Sequence, residues 1–412
     1  MISIEEARAL VLAEARPLPS ESRALSDVLG AVLAQTIHAP HDVPPFDNSA
    51  MDGFAVQAAD TRGATAGSPV ELSVGETIAA GHSARSALRS GQAYKIMTGA
   101  PMPPGADAVV QVEDTEPGIA DGYGERVRIV RAATPGLNVR RAGEDVAAGM
   151  RVLSPGTVLE VGEIGALAGL GYPRVDVHRR PRVAILSTGS ELVEVDQPLG
   201  PGQIRNSNSY TLEAQCRSLG IAAERLGIAP DDYESTRRMV ERGLQYDVLI
   251  SSGGVSVGEF DFVKDVQDSL GVERRLWRVA MKPGKPLAFG VHGDTLVFGV
   301  PGNPVASMVS FELFIRPALL RLMGHDRVLR ALHRAVLHED LPNRHGRVHV
   351  VRVRSWREGE TWHVSSTGPQ GSAMVRSMIA ADGLIFVPAR IEGLRVGDLA
   401  DLMLLRDEAV AP

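Results

Sequence analysis

The sequence predicts a multidomain protein of α/β plus β class. A central doubly wound α/β domain is preceded by a β-rich domain and followed by a small β-barrel. Three observations carry this. Between Arg182 and Phe314 short apolar runs alternate with helical segments, the signature of a parallel sheet with right-handed crossovers. From Val70 to Val130 short β-rich runs alternate with glycine and proline turns. After Gly324 the β pattern returns with closely spaced turns, over roughly 80 residues. At 412 residues the chain exceeds what a single core serves, so roughly three or four domains are expected.

The first expected element is a helix over residues 2–16, with Ser3 as N-cap and Glu6 completing a capping box. Leu25 to Leu33 offers a second short helix, broken at Gly30. Pro40, Pro44 and Pro45 then impose an extended segment. It carries Asp47, Asn48, Ser49 and Asp52 beside Phe46, Met51 and Phe54, which suits the wall of a site as well as an interdomain loop. Thr98 and Gly99 end a strand where a hydroxyl and a bare backbone can meet a ligand, and Arg140 to Asp145 puts two arginines and two carboxylates in one loop. A helical pattern from Val158 to Gly169 is expected to return onto the N-terminal helices, making that domain discontinuous.

The α/β region opens with a buried strand, Val183 to Ser187, a turn at Thr188-Gly189 and Glu191 at the exit. Helix Asn208–Leu219, strand Ile221–Gly227, a helix from Tyr233 to Gly243 capped by Asp231, and strand Val248–Ile250 follow. Ligands of such sheets lie at the carboxyl ends of the strands. Three of these ends carry acid or glycine: Glu191, Asp231 with Asp232, and Gly253 to Asp261. The third is the most informative. A strand empties into the small residues Ser251, Ser252, Gly253, Gly254 and Ser256, then into a helix near Gly258, a geometry that aims backbone N–H groups at an anion. Glu259 and Asp261 at the same mouth would repel a phosphate unless a hard cation bridges them, which implies Mg²⁺. A tight turn with a solvated first helical turn is the plainer reading of that stretch.

Lys282 and Lys285 sit in a Pro/Gly-stiffened loop from Met281 to Gly290, which suits phosphate or another oxyanion. Asn303 and Pro304 have a structural use as N-cap and first helical residue, and Pro317 is expected to kink or end that helix. In the last block, strands are expected at Val348–Val353, Thr361–Ser365, Gly383–Pro388 and Asp398–Leu404. A net charge of −7 and an aromatic content of 4% argue against a nucleic-acid binder. The single cysteine, Cys216, excludes an intramolecular disulfide and a thiolate metal cage. No run approaches the ~18 apolar residues of a membrane helix, and no signal segment is apparent, so no membrane association and a cytoplasmic location are expected.

Seven blocks, in order, resemble the MoeA family of molybdopterin molybdenumtransferases and the related gephyrin E domain. They are Pro-Pro-Phe-Asp-Asn-Ser-Ala-Met-Asp-Gly-Phe-Ala (44–55), Ile-Met-Thr-Gly-Ala-Pro (96–101), Arg-Arg-Ala-Gly-Glu-Asp (140–145), Ser-Thr-Gly-Ser-Glu-Leu (187–192), Ser-Gly-Gly-Val-Ser-Val-Gly-Glu (252–259), Lys-Pro-Gly-Lys-Pro (282–286) and Pro-Gly-Asn-Pro (301–304). The departures are conservative, such as Phe54 where tyrosine is usual and Ser190 where an acid is frequent. The resemblance implies an elongated homodimer of four-domain subunits: a discontinuous domain I (1–45 and 146–177), a β-rich domain II (46–145), a molybdopterin-binding α/β domain III (178–327) and a C-terminal β-barrel domain IV (328–412). It implies Mg²⁺-dependent insertion of molybdate into adenylylated molybdopterin with release of AMP, in an active site shared between subunits. The pterin's own sulfurs take up the metal, which is how a one-cysteine chain can handle molybdenum.

On that reading Ser251, Ser252, Gly253, Gly254, Ser256, Lys282 and Lys285 bind the pterin phosphates. Lys282, Lys285, Pro286, Arg352 and Ser372 form the molybdate pocket, and Glu191, Asp231 and Asp261 hold Mg²⁺, with Asp231 and Asp232 not distinguished. Asp52, Thr98 and Asp145 match family positions important for activity and reach the cleft from the partner. Candidate partners besides the second copy are a molybdopterin adenylyltransferase and molybdoenzyme-maturation proteins. The competing readings are a molybdopterin adenylyltransferase and a non-catalytic molybdopterin-binding scaffold.

Overall fold

The structure, a computed structural model, describes residues 1–117, 125–254 and 262–406. The chain divides into two compact units, 23–175 and 1–22 together with 176–412. The first helix, α1 (Ile4–Glu14), has the expected capping box: Ser3 Oγ accepts the Glu6 N–H and Glu6 accepts the Ser3 N–H. Its apolar stripe of Ile4, Ala7 and Val11 is fully buried, at the i, i+3, i+7 spacing of one helical face. That face packs into the core of the α/β sheet, alongside Val183, Ile185 and Leu319. Within unit 23–175, the segment expected to return to the N-terminal region meets residues 25–33: the Leu159 N–H donates to the Ala31 carbonyl and the Gly30 N–H to the Leu159 carbonyl, both at 2.8 Å.

Unit 23–175 is built on six strands: β1 (Gly53–Val56), β2 (Val70–Ile78), β3 (Gln92–Ile96), β4 (Ala108–Gln111), β5 (Thr115–Pro117) and β6 (Arg126–Ile129). They form one sheet in the order β4-β1-β3-β2-β6-β5, antiparallel except for the β2–β3 pair. The expected helix at Leu25–Leu33 is absent. Only a 3₁₀ turn, Leu25–Asp27, forms before Gly30 at φ 72° turns the chain, and Val32 then bridges Val158. Helix α2 (Val161–Gly169) stands where the period placed it.

The second unit holds the α/β sheet: β7 (Val183–Thr188), β8 (Ala223–Ala229), β9 (Val248–Ser252), β10 (Glu273–Arg278), β12 (Pro286–His292) and β13 (Thr295–Val300), with the short β11 (Met281–Lys282) outside it. The order is β8-β7-β9-β13-β12-β10. The first four are parallel, and β12 and β10 add an antiparallel edge. Helices α3 (Ser207–Ser218), α4 (Tyr233–Gly243), α5 (Phe262–Ser269), α6 (Pro304–Ser310) and α7 (Arg316–Leu322) cover it. Because side chains alternate along a strand, Val183 and Ile185 meet Leu212 and Cys216 of α3 on one face, while Ala184 and Leu186 meet Val240 of α4 and Val266 of α5 on the other. The sheet is doubly wound, as expected. Burial pushes the Cys216 thiol up to about 12, which leaves it an inert core residue. Pro317 does not end its helix: a π turn, Phe311–Ile315, absorbs the lost donor between α6 and α7.

The C-terminal strands are β14 (Leu332–Leu337), β15 (Val348–Glu358), β16 (Thr361–Ser366), β17 (Gly383–Val387) and β18 (Leu399–Leu404). Their order is β15-β16-β14-β18-β17, and β17 pairs back onto β15 to close a ring. This is the expected small barrel, with Val351, Val353, Ile385 and Leu402 in its core. β11 pairs in parallel with the start of β15.

Candidate functional site

The carboxyl ends of β8, β7 and β9 lie side by side, because these strands are sheet neighbours. A cleft of about 660 Å³ opens there, lined among others by Thr188, Glu191, Asn208, Ser252, Gly253, Gly254, Pro286 and the Pro301–Pro304 turn. Gly253 and Gly254 take φ values of 90° and 65°. A Cβ on Gly253 would fall 2.6 Å from the Thr188 carbonyl oxygen, and one on Gly254 would fall 2.4 Å from Val263 Cγ2. No side chain fits at either position, so the floor of the cleft is bare backbone.

Asn208, in the first turn of α3, ties the cleft together. Its Nδ2 donates to Ser252 Oγ and to the Gly302 carbonyl, both at 2.8 Å. Sequence reasoning missed this residue, as it missed Asn206, whose Oδ1 accepts from Ser187 Oγ at 2.9 Å. Thr188 Oγ1, Asn206 Nδ2 and Asn208 Oδ1 are buried without a hydrogen-bond partner. Polar atoms left so beneath a cleft fit a polar ligand better than an apolar one. Asn303 occupies the N-cap position of α6 but makes no capping bond, and its residue lines the cleft instead.

Of the expected phosphate ligands, Ser252, Gly253 and Gly254 line the cleft, whereas Ser251 is fully buried and donates to the Phe298 carbonyl at 3.2 Å. Ser256, Glu259 and Asp261 lie outside the described residues. Glu191 and Asp231 are exposed at adjacent strand exits. Asp231 Oδ2 accepts the Ser190 N–H at 2.9 Å, and the Asp231 N–H donates to Ser190 Oγ at 3.2 Å. The cap of α4 is Asp232, not Asp231: Asp232 Oδ1 accepts the Ser235 N–H at 2.8 Å. This separates the two carboxylates, since Asp232 is committed to the helix and Asp231 faces the β7 exit loop. Among the described residues no three His, Cys, Asp or Glu side chains gather as a metal cage. Mg²⁺ keeps several waters and needs only one or two protein carboxylates, so Glu191 on the cleft wall, with Asp231 at the neighbouring strand exit, fits it in kind.

Neither lysine lines the cleft. Lys285 is exposed, and Lys282 is half-buried with its ammonium against His345 Nε2. Arg352 has no solvent exposure. Its Nε, Nη1 and Nη2 donate to Ser377 Oγ, the Val350 carbonyl and the Gly371 carbonyl at 3.2, 3.4 and 3.1 Å, all neutral acceptors. Burial pushes its pKa down to about 10. The next residues, Ser372 and Ala373, reach the cleft: Ser372 O accepts the Val305 N–H at 3.1 Å, and Ala373 lines the wall. Pro286 thus lines the cleft and Ser372 adjoins it through Ala373, whereas Arg352 lies behind that wall without exposure, bonded to the Gly371 carbonyl.

In unit 23–175, Asp52 and Thr98 meet directly. Asp52 Oδ1 accepts both the Thr98 N–H and Thr98 Oγ1–H at 2.7 Å, and these bonds hold its pKa below the usual carboxylate range. Asp145 is exposed on a loop whose backbone is bonded to Val43, and its side chain makes no bond to that pair among the described residues. Asp47 pairs with Arg141 at 2.6 Å and accepts the Ala142 N–H at 2.8 Å, which pins the 140–145 loop to the proline segment.

Three family descriptions match in order: the MoeA N-terminal region (domain I and II) over residues 2–171, a probable molybdopterin binding domain over 184–321 and the MoeA C-terminal region (domain IV) over 334–405. The chain is 40% identical over 405 residues to molybdopterin molybdenumtransferase 2 of Mycobacterium tuberculosis, covering 96% of this chain and 98% of that one. It is 36% identical over 386 residues to the molybdopterin molybdenumtransferase of Bacillus subtilis, covering 93% and 90%. A crystal structure of the molybdopterin biosynthesis MoeA protein from Pyrococcus horikoshii superposes with a TM-score of 0.83 at 33% identity, covering 99% of this chain and 100% of that one.

Proposed function

The chain belongs to the MoeA family of molybdopterin molybdenumtransferases, and on that premise we propose that its cleft takes adenylylated molybdopterin and exchanges AMP for molybdenum. Its place is molybdenum cofactor biosynthesis. The observation that carries the reading is the glycine floor at three adjacent strand ends, where no Cβ fits and buried polar atoms lack partners. The Gly253 N–H is committed to the Val300 carbonyl at 3.1 Å, so what the two glycines provide for a pyrophosphate is the close approach to backbone that a Cβ would block. Asn208 fixes the height of Ser252 against the Pro301–Pro304 turn, so the cradle is rigid before substrate arrives.

In this reading molybdate, the second substrate, is held beside the cleft by Lys282, Lys285, Pro286, Arg352 and Ser372. Arg352 is preorganised for that task, since its charge is buried without a carboxylate that would cancel it. Glu191 and Asp231, joined by Asp261, are the proposed holders of Mg²⁺, which when bound would neutralise the charge that builds as the pyrophosphate is cleaved. Asp52, Thr98 and Asp145 are proposed to act on the cleft of a second copy, in a homodimer. The division into domains at about residues 45, 145, 177 and 327 and a cytoplasmic location belong to the same proposal.

The test is AMP release from adenylylated molybdopterin, with and without molybdate and Mg²⁺, on the unaltered protein and on Lys285→Ala. Release that needs Mg²⁺, rises with molybdate and falls at least tenfold in the variant supports metal insertion. Turnover of ATP with molybdopterin would instead make the chain an adenylyltransferase. Tight pterin binding without AMP release would leave a scaffold.

A further inference from the structure

Lys282 keeps unusual company. The charges nearest its ammonium are Arg347 and Arg352, both positive, and burial together with these two lowers its pKa. Among the described residues no carboxylate pairs with Lys282, Arg347 or Arg352. The ammonium's contact is instead the ring nitrogen Nε2 of His345.

The loop that carries His345 is built to hold it there. Asn343 is buried, and its Nδ2 donates to the Arg347 carbonyl at 2.9 Å and to the Pro388 carbonyl at 3.0 Å. The His345 N–H donates back to Asn343 Oδ1 at 3.3 Å. β11 and β15 fix the register, with Lys282 opposite His349, and Arg347 Nη1 donates to the Met281 carbonyl at 3.4 Å. A second imidazole completes the setting. His349 Nδ1 faces the Pro342 carbonyl at 3.3 Å, while its Nε2 is buried without a partner. Burial pushes the His349 pKa down to about 4, and Lys282, burial and Arg347 lower that of His345. Both rings are therefore neutral near pH 7.

An ammonium on a four-carbon stem needs an acceptor to fix its position. A carboxylate would fix it and cancel its charge, whereas a neutral imidazole fixes it and leaves the charge for an incoming anion. We propose that His345 is a positioning residue for Lys282: an uncharged acceptor that orients the ammonium while keeping its full charge available to a tetrahedral oxyanion dianion. The inference rests on the reading of Lys282 as part of the molybdate pocket and goes beyond it by assigning the group that holds the lysine.

The test uses two replacements of this exposed side chain that are isosteric with one another, His345→Gln and His345→Glu, in the full-length protein. Molybdate binding is read by titration calorimetry, and KM for molybdate and kcat are read from AMP release. The Gln variant, an uncharged acceptor, is expected within about threefold of the unaltered KM. The Glu variant, which also accepts but cancels the charge, is expected to raise KM at least tenfold with kcat at saturating molybdate changed less than threefold. Equal KM values in the two variants, or tighter binding by Glu, would overturn the inference while leaving the oxyanion pocket standing. No molybdate binding by the unaltered protein would overturn the pocket and this inference together.

Discussion

Arg352→Met separates what the buried guanidinium does for function from what it does for the fold. The side chain has no exposure and no ionic partner, and burial brings its pKa down by some two units to about 10. At about 1.4 kcal/mol per pKa unit, keeping the group charged at neutral pH costs the folded state about 3 kcal/mol. Its three hydrogen bonds, at 3.1 to 3.4 Å to neutral acceptors, return about 1 kcal/mol each. The two sums nearly cancel. Methionine fills much of the same volume and adapts to irregular gaps, so the variant is expected to change stability by no more than about 1 kcal/mol, where a buried large residue replaced elsewhere in the core loses about 2–5 kcal/mol. Molybdate-dependent AMP release is expected to fall at least a hundredfold. The assays are urea denaturation followed by fluorescence, and the molybdate dependence of AMP release at saturating adenylylated pterin. A loss of more than about 3 kcal/mol would show that the guanidinium is structural. Molybdate saturation at unaltered concentration would show that its charge is not used.

Two further outcomes follow from the geometry. Gly254→Ala puts a methyl on a residue at φ 65° and against Val263, so it is expected to lose about 2–4 kcal/mol locally and to weaken binding of adenylylated molybdopterin at least tenfold, measured by fluorescence titration. Asp247 sits at the start of β9. Burial raises its pKa, but two bonds from Arg179 at 2.7 and 2.8 Å and one from the Arg182 N–H at 2.7 Å outweigh this and bring it down to about 2. The stability it contributes is present above its unfolded pKa of 3.8 and is lost as the pH falls toward 2. Asp247→Asn is expected to cost about 1–2 kcal/mol at pH 7, allowing for solvent screening, and to flatten that acid slope in denaturation between pH 4 and 2.

The parts of this molecule that follow from local rules could be read from the sequence. The Ser3–Glu6 capping box, the alternating burial of Val183 to Leu186 and the convergence of three strand ends are each set within a few residues or by the order of elements. Leu25–Leu33 misled because its apolar spacing allows a helix, while Gly30 and the pairing of Val32 with a residue 126 positions away decide otherwise. Asp231 and Asp232 are neighbours of one type, and only the hydrogen bonds of each separate them. Asn208 drew no attention because its two partners lie 44 and 94 residues downstream. The pairing of Lys282 with His345 spans 63 positions and is equally invisible to spacing.

The ring of the C-terminal barrel closes through β15, the strand that also meets β11 and carries Arg352. The site is thereby divided along the gene. A fragment ending near residue 327 encodes the glycine floor, both Asn residues and the two strand-exit carboxylates, yet none of Arg347, His349 or Arg352. In the proposed reading such a fragment would keep the pterin floor with Lys282, Lys285 and Pro286, and would lose Arg352, Ser372 and the loop that positions Lys282. The register between β11 and β15 is then the seam at which sheet and barrel together complete the proposed oxyanion pocket.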